Sequence, residues 1–284
     1  RPAHGQKPSA LKNIALNTKA MDWQIHSFAS IAKLNDIHYL GGYHVDDVIE
    51  SYPQLNYTVI PDWNNKSVLH TLLKAPFTDQ PAIIAYSDTV FRKNIVIDML
   101  SIEADVVFCI DSLWKERFDS RTADDICSAE TIEIESLSGS SSLVEFTGLV
   151  YFNSGAVKHL SALEESDVGS SIIDLIIYLE NIGLSVKPFD VTGHWAEFNS
   201  PNDIAHFILG TKVETLVRLE SLVRHSHIGK QVSFTCERWS NDANAVLNEI
   251  SEVFADVNLV VRSSSKAEDS WLTSNAGGFD SLLN

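Results

Sequence analysis

Hydrophobic and polar positions along the first part of the chain alternate between helical and strand-like spacing. Apolar side chains at residues 23–34 recur on one face of a helix, and a short apolar run at 37–40 ends at Gly41-Gly42. Further helical segments at 44–50, 67–74 and 93–101 alternate with strand-like runs at 57–60, 82–86 and 106–110. This alternation predicts an α/β fold in which helices cover a mainly parallel sheet.

The pattern in the second half of the chain predicts where the α/β unit ends and where a second, different domain begins. Residues 111–139 are irregular apart from a strand-like alternation at 130–135 and predict an insertion over the sheet edge, and a strand at 143–152 follows. Helices at 156–163 and 172–182 and strands at 185–189 and 195–198 complete the series. After Gly210 come a polar helix at 213–225, a strand-like 231–235 and an amphipathic helix at 241–254. We therefore expect one domain at 1–210 and part of a second, α+β domain at 211–284, which is too short to build a stable core alone.

Composition narrows the class of protein. The 284 residues are 44% hydrophobic, which indicates a folded globular chain. There are 38 acidic and 21 basic side chains, a net charge of −17, so a general nucleic-acid or anionic-membrane surface is disfavoured. Three scattered cysteines, Cys109, Cys127 and Cys236, do not form a disulfide framework. The longest apolar run is too short to span a bilayer. These features predict a cytoplasmic protein.

Two features could carry chemistry. Asp88 directly follows the apolar run at 82–86, and a carboxylate beyond the end of a parallel strand can hold a divalent ion. From this one residue alone, a cap of the next helix is the favoured alternative. Lys7 and Lys12 belong to a basic segment that precedes the first acidic residue, Asp22. Such a segment suits a phosphate pocket, with a solvated loop as the alternative.

The order of several short motifs resembles nucleotidyltransferases that act on phosphocholine and sugar phosphates. The pieces are Lys7-Pro8-Ser9-Ala10-Leu11, Lys19-Ala20-Met21-Asp22-Trp23-Gln24, Gly41-Gly42-Tyr43, Pro61-Asp62-Trp63-Asn64-Asn65, Tyr86-Ser87-Asp88, Glu145-Phe146-Thr147-Gly148-Leu149 and Trp195-Ala196-Glu197-Phe198-Asn199-Ser200-Pro201-Asn202-Asp203. The resemblance covers about residues 1–210 and implies a Rossmann-like sheet of the nucleotidyltransferase type. It also implies transfer of CMP or UMP from CTP or UTP to a small phosphorylated acceptor, such as phosphocholine, a phosphonate or a sugar 1-phosphate. Pyrophosphate would be released.

The resemblance also implies roles for individual residues. Asp88 would bind Mg²⁺, and Asn199 or the neighbouring Glu197 would supply the second metal contact; the family commonly has Asp where Asn199 stands. The nucleotide side of the cleft would be lined by Asn64, Asn65 and Ser67, and the acceptor side by Glu145 and Gly148. Turn residues and a sheet-end carboxylate are the alternative interpretations of these positions.

One departure from the family separates two hypotheses. The family has a G-x-G-x-R loop followed by a Pro-Lys pair whose lysine contacts phosphate, whereas Pro8 is followed here by Ser9. Lys7 or Lys12 would take the place of that lysine, and we expect the loop to lie upstream of Arg1. If the loop is absent, the alternative is a non-catalytic nucleotide-binding domain that regulates an attached phosphotransferase.

The end of the chain resembles a different family. Residues 260–270, which include Arg262-Ser263-Ser264-Ser265, and the later Asn275-Ala276-Gly277-Gly278-Phe279 resemble the opening of the ATP-grasp-like domain of pyruvate phosphate dikinase and phosphoenolpyruvate synthase. This resemblance implies that Arg262 contacts an ATP phosphate once the domain is complete.

Overall fold

The computed structural model describes most of the chain. The described residues are 7–15, 17–117, 126, 129–135, 141–197, 204, 207, 208, 210, 212–220, 223–255, 257–262 and 281–283. The chain divides into two compact units, residues 1–199 and residues 200–284, and each is presented by itself.

The described part of the first unit alternates helices and strands as the sequence predicts. Its strands are β1 (Asn13–Ala15), β2 (Thr18–Lys19), β3 (His38–Gly41), β4 (Asn56–Val59), β5 (Ala82–Ala85), β6 (Thr89–Phe91), β7 (Val106–Asp111), β8 (Thr131–Glu135), β9 (Ser141–Phe152), β10 (Val186–Asp190) and β11 (Trp195–Glu197). Its α-helices are α1 (Ala20–Phe28), α2 (Val45–Ser51), α3 (Val68–Leu72), α4 (Lys93–Leu100), α5 (Trp114–Arg117), α6 (Ser154–Leu160), α7 (Glu165–Val168) and α8 (Ile172–Asn181). Short 3₁₀ turns lie at Ser9–Leu11, Leu34–Asp36 and Trp63–Asn65.

A five-stranded sheet forms the centre of the first unit. Its strands run in the order β10-β7-β9-β5, and β8 also pairs with β9. β10 is parallel to β7, whereas β9 is antiparallel to β7, β5 and β8. The α/β fold with a central sheet is confirmed. The expected mainly parallel pairing needs correction, because β9 runs against the other four strands and makes three of the four ladders antiparallel.

Smaller ladders complete the first unit. β3 and β4 are parallel, and β6 and β11 are antiparallel. The antiparallel pair β1–β2 leads into α1. Parallel strands end at one edge, so the segments that follow β3 and β4 leave that pair on the same side.

Apolar packing on both faces of the sheet explains its position in the core. One face packs β7 and β9 residues such as Phe108, Val150 and Phe152 against α3, α6 and α8. The other face packs Val107, Cys109 and Leu149 against α4 and Trp195. Strand β7 is buried along its whole length, in agreement with the continuous apolar run of its first five residues, and it ends at the buried Asp111.

Helix α8 shows how local sequence sets an element. Ser171 is the N-cap and its Oγ accepts from the backbone N–H of Asp174, whose carboxylate accepts in return from the N–H of Ser171. This is a capping box. Ile172, Leu175, Ile176 and Leu179 then bury one face of the helix.

The described part of the second unit contains α9 (Lys212–Glu220), α10 (Cys236–Asn241), α11 (Ala243–Phe254) and the antiparallel pair β12 (Val260–Arg262) and β13 (Ser281–Leu283). The strand expected at 231–235 is wrong, because Thr235 instead caps α10 by accepting from the N–H of Arg238. No helix in the described residues of either unit is long and apolar enough to cross a membrane.

Candidate functional site

Asp88 lies in a turn at the end of β5, and the side chain of a buried glutamine is hydrogen-bonded to the backbone of this turn. The backbone N–H of Thr89 donates to the carbonyl of Tyr86 at 3.3 Å, which closes the turn. Gln24 of α1 is only 5% exposed, and its Nε2 donates to the carbonyls of Tyr86 at 2.7 Å and Thr89 at 2.6 Å. The amide therefore fixes both ends of the segment that presents Asp88.

A second carboxylate reaches this turn from a strand distant in sequence. In the β6–β11 ladder, Glu197 lies opposite Thr89, the residue after Asp88. The indole of Trp195, at the other end of β11, donates to Oδ2 of Asp111 at 3.0 Å. The structure thus brings the regions of Asp88 and Glu197 together, while Asn199 lies outside the described residues.

Two tyrosines and another carboxylate surround Asp88. The hydroxyl of Tyr86 donates to Oε2 of Glu130 at 3.0 Å, and Tyr39 of β3 shares a hydrogen bond with the side chain of Ser87. Burial raises the pKa of Tyr86 most, and the negative charges of Glu130, Asp88 and Glu197 raise it further. Several acidic groups therefore influence one another at this edge of the sheet.

The protonation of these groups reflects burial. Burial raises the pKa of Asp88, and the positive charge of Lys12 opposes this increase. Burial also raises the pKa of Glu130; the Tyr86 hydrogen bond opposes this shift, and the charge of Asp88 adds to it. Burial raises the pKa of Tyr39 to about 12. A cation at this position would relieve the cost of keeping the carboxylates ionised.

Gly148 has a packing role beside this cluster. Its φ of +77° lies in the left-handed region, and a Cβ there would come within 2.6 Å of the Tyr86 ring. Its carbonyl accepts from the N–H of Tyr86 at 3.0 Å. Glycine is therefore needed for Tyr86 to lie against β9 and reach Glu130.

The two lysines predicted for phosphate contact lie in different surroundings. Lys12 follows the 3₁₀ turn at Ser9–Leu11 and is close enough for its charge to affect Asp88. Its carbonyl accepts from the N–H of Ala20 at 3.0 Å, which ties the segment to the start of α1. Lys7 is exposed at the beginning of the described chain.

The predicted nucleotide residues follow β4. Asn64 and Asn65 are exposed in the 3₁₀ turn at Trp63–Asn65. Ser67 is the N-cap of α3, where its Oγ accepts from the N–H of His70 at 2.8 Å and donates to Glu165. Ser67 thus has a structural function in addition to any contact with a ligand.

The remaining predicted positions lie within strands. Glu145 is 2% exposed in β9, where it is opposite Asp111 of β7 and Thr131 of β8. Arg262 is exposed in β12 of the second unit, opposite Ser281 of β13.

The donor set suits a magnesium ion that is only partly held by protein. Asp88 and Glu197 offer carboxylate oxygens, the ligands that Mg²⁺ prefers. Among the described residues there is no group of three or more His, Cys, Asp or Glu side chains that could hold a metal alone. Mg²⁺ is commonly bound by one or two carboxylates together with water and substrate phosphates, so two carboxylates fit this mode of binding.

Three residues of the cluster were not assigned from sequence. Glu130 directly precedes β8, at the start of a stretch whose alternation predicts a strand, but nothing in that pattern connects it with Asp88. Gln24 carries a detectable signal, because a polar residue inside the apolar spacing of α1 needs a buried partner. Tyr39 offers no signal beyond its position near the end of β3.

Comparisons with known proteins give similarity only at the level of structure. No family model and no curated protein matches the chain. A candidate glucose-1-phosphate thymidylyltransferase from Bacillus anthracis has a TM-score of 0.49 at 14% identity, covering 78% of this chain and 89% of the other. The inositol-1-phosphate CTP transferase from T. maritima has a TM-score of 0.49 at 14% identity, covering 80% of this chain and 91% of the other. The CTP:phosphocholine cytidylyltransferase from Streptococcus pneumoniae has a TM-score of 0.47 at 14% identity, covering 76% of this chain and 92% of the other.

Proposed function

We propose that the first unit is a nucleotidyltransferase. It transfers CMP or UMP from the nucleoside triphosphate to a small phosphorylated acceptor, and pyrophosphate is released. The observation that carries this proposal is the β6–β11 register, which brings Glu197 beside the turn of Asp88. Sequence motifs that resemble nucleotidyltransferases fall on both of these strands or directly beside them.

The chemistry requires charge neutralisation and alignment. A phosphate oxygen of the acceptor attacks the α-phosphorus of the triphosphate, and the bond to the pyrophosphate leaving group breaks. Asp88 and Glu197 would hold Mg²⁺, which supplies neutralisation of phosphate charge when bound. Lys12, whose positive charge acts on Asp88, would bind a phosphate oxygen in the same region. Gln24 would be a positioning residue, because its Nε2 donates to the carbonyls of Tyr86 and Thr89.

The remaining assignments follow the resemblance. Asn64, Asn65 and Ser67 would contact the nucleotide, with Lys7 as a further phosphate contact. Glu145 and Gly148 would line the acceptor side. In the second unit, Arg262 would bind an ATP phosphate in a completed phosphoenolpyruvate synthase-like domain.

The test measures pyrophosphate release from CTP and from UTP with Mg²⁺. Phosphocholine, a phosphonate and sugar 1-phosphates serve as acceptors. Asp88→Asn and Glu197→Gln should each lower kcat/KM at least about a hundredfold, because each removes a charge that helps to hold the metal. Asp79→Asn, at an exposed loop position before β5, is the matched control and should retain activity.

Two outcomes would contradict the catalytic proposal. Full activity in Asp88→Asn would remove this carboxylate from the mechanism. Triphosphate binding without turnover for every acceptor would instead favour the non-catalytic domain, for which Ser9 at the family's lysine position is the motivating observation.

A further inference from the structure

A separate pocket lies between the end of β4 and α3. Its volume is about 220 Å³, and its lining includes Thr58, Pro61, Asp62, Lys66, His70 and Lys74. None of the three basic residues belongs to the Asp88 cluster described above. The pocket is smaller than the roughly 300–1,000 Å³ of sites for drug-sized ligands, so it suits one or two phosphate groups better than a whole nucleotide.

Packing of α3 explains why basic side chains meet here. Leu69 and Leu72 are buried in the core and fix one face of the helix. His70 and Lys74 are four residues apart, and the N–H of Lys74 donates to the carbonyl of Thr71 at 3.2 Å, which continues the helical turn. Residues at this spacing share one side of a helix, so both can line the same pocket.

The imidazole of His70 is held in place from outside the pocket. Its Nδ1 lies 3.2 Å from Oε2 of Glu165, at the start of α7, and Glu165 also accepts from the hydroxyl of Ser67. With Nδ1 engaged by this carboxylate, Nε2 is the ring nitrogen left for a ligand. The N-cap of α3 and the histidine are thus positioned by one acidic side chain.

The charge of the lining contrasts with that of the chain. The protein carries a net charge of −17, yet this lining has two lysines and a histidine against one carboxylate, Asp62, with Glu165 behind the histidine as a second. Lysine binds phosphate as a flexible point charge, and the imidazole of His70 adds a hydrogen bond from Nε2 when both of its ring nitrogens carry protons. On this basis we propose that the β4–α3 pocket is a binding site for a small phosphate-type oxyanion.

Such an anion has two sources: a free phosphate or pyrophosphate, or the phosphate tail of a nucleotide. Both would present the same oxygens to Lys66, His70 and Lys74. The pocket itself does not depend on the proposed reaction, because its residues are distinct from Asp88 and Glu197.

The experiment is calorimetric titration of the full chain with inorganic phosphate, pyrophosphate and CTP, without acceptor. The double substitution Lys66→Ala/Lys74→Ala should weaken phosphate and pyrophosphate binding about tenfold or more, since charge-assisted contacts are lost. Lys187→Ala is the control, because Lys187 is exposed on β10 and does not line the pocket. It should change binding less than about twofold.

Titration with CTP identifies the source of the bound anion. If CTP binding weakens together with pyrophosphate binding, the pocket holds the nucleotide's phosphates; if only the inorganic ions are affected, it binds a free anion. Absence of phosphate and pyrophosphate binding to the wild-type chain would overturn the proposal, as would unchanged affinity in the folded double variant. If Asp88→Asn loses turnover but still binds phosphate and pyrophosphate, the result supports the pocket as an anion site that is separate from the Asp88 cluster.

Discussion

Replacement of Gln24 by Met tests whether a buried amide fixes the turn that carries Asp88. Methionine has a similar length and fills similar space, but it cannot donate a hydrogen bond. The substitution therefore removes the donors to the carbonyls of Tyr86 and Thr89, which lie 2.7 and 2.6 Å from Nε2. Helix α1 should tolerate it, since Met and Gln have comparable helix propensities.

The expected loss of stability depends on which hydrogen bonds each carbonyl keeps after the substitution. Tyr86 keeps the bond from the N–H of Thr89 at 3.3 Å, so it loses only one of two donors. Each lost bond costs about 0.5–1.5 kcal/mol net, and a buried acceptor left without a partner costs about 1–3 kcal/mol. The apolar side chain of Met offsets part of this. We expect Gln24→Met to lower the free energy of unfolding by about 2–4 kcal/mol.

Urea unfolding followed by tryptophan fluorescence provides the measurement. Ser27→Ala is the matched control on the same helix face, because its Oγ donates a single bond to the carbonyl of Phe91 at 2.9 Å. That carbonyl also accepts from Nε1 of Trp23 at 2.8 Å, so the control should cost only about 1 kcal/mol. A Gln24→Met protein within about 0.5 kcal/mol of the wild type would refute the bracing role of the amide.

Two further substitutions test the packing and the pH dependence of the first unit. Gly148→Ala and Gly183→Ala both place a side chain at positive φ, but a Cβ meets the Tyr86 ring only at Gly148, whereas it has open space at Gly183. In urea unfolding, Gly148→Ala should therefore cost about 1–3 kcal/mol more, and equal costs would contradict the overpacking. Backbone N–H donors lower the pKa of Asp174, so its stabilisation is complete above the unfolded pKa of about 3.9 and is lost as pH falls towards the lower folded value. Asp174→Asn should cost about 1 kcal/mol at pH 7, and this difference should shrink in urea titrations at about pH 3; a constant difference would contradict a role for its charge.

Much of the first unit could be predicted from the sequence because its signals are local. The buried run of β7 and the amphipathic pattern of α8 are each determined by neighbouring residues. The direction of β9 is different, since an apolar strand pattern is the same whether the strand runs parallel or antiparallel to its neighbours. The antiparallel insertion of β9 between β7 and β5 depends on chain connections that periodicity does not record.

The same distinction applies to the cluster around Asp88. Asp88 itself is visible in sequence, because it follows an apolar strand. Glu130 is not, since it joins the cluster only through Tyr86 and through the place where β8 begins to pair with β9. The strand prediction at residues 231–235 failed for a related reason: a β-favouring composition there is overridden by the capping function of Thr235.

Register explains why the partner of Asp88 could not be settled from sequence. A shift of one residue between β6 and β11 would place Ala196 instead of Glu197 opposite Thr89, the first residue of β6. Because the β6–β11 ladder is short, contacts at its ends help to determine its register. Trp195 supplies one, because its buried indole donates to Asp111 at the end of β7. The hydrogen bond from Trp195 to Asp111 therefore ties β11 to β7 two residues before Glu197, and the place of Glu197 beside the turn of Asp88 rests on this register.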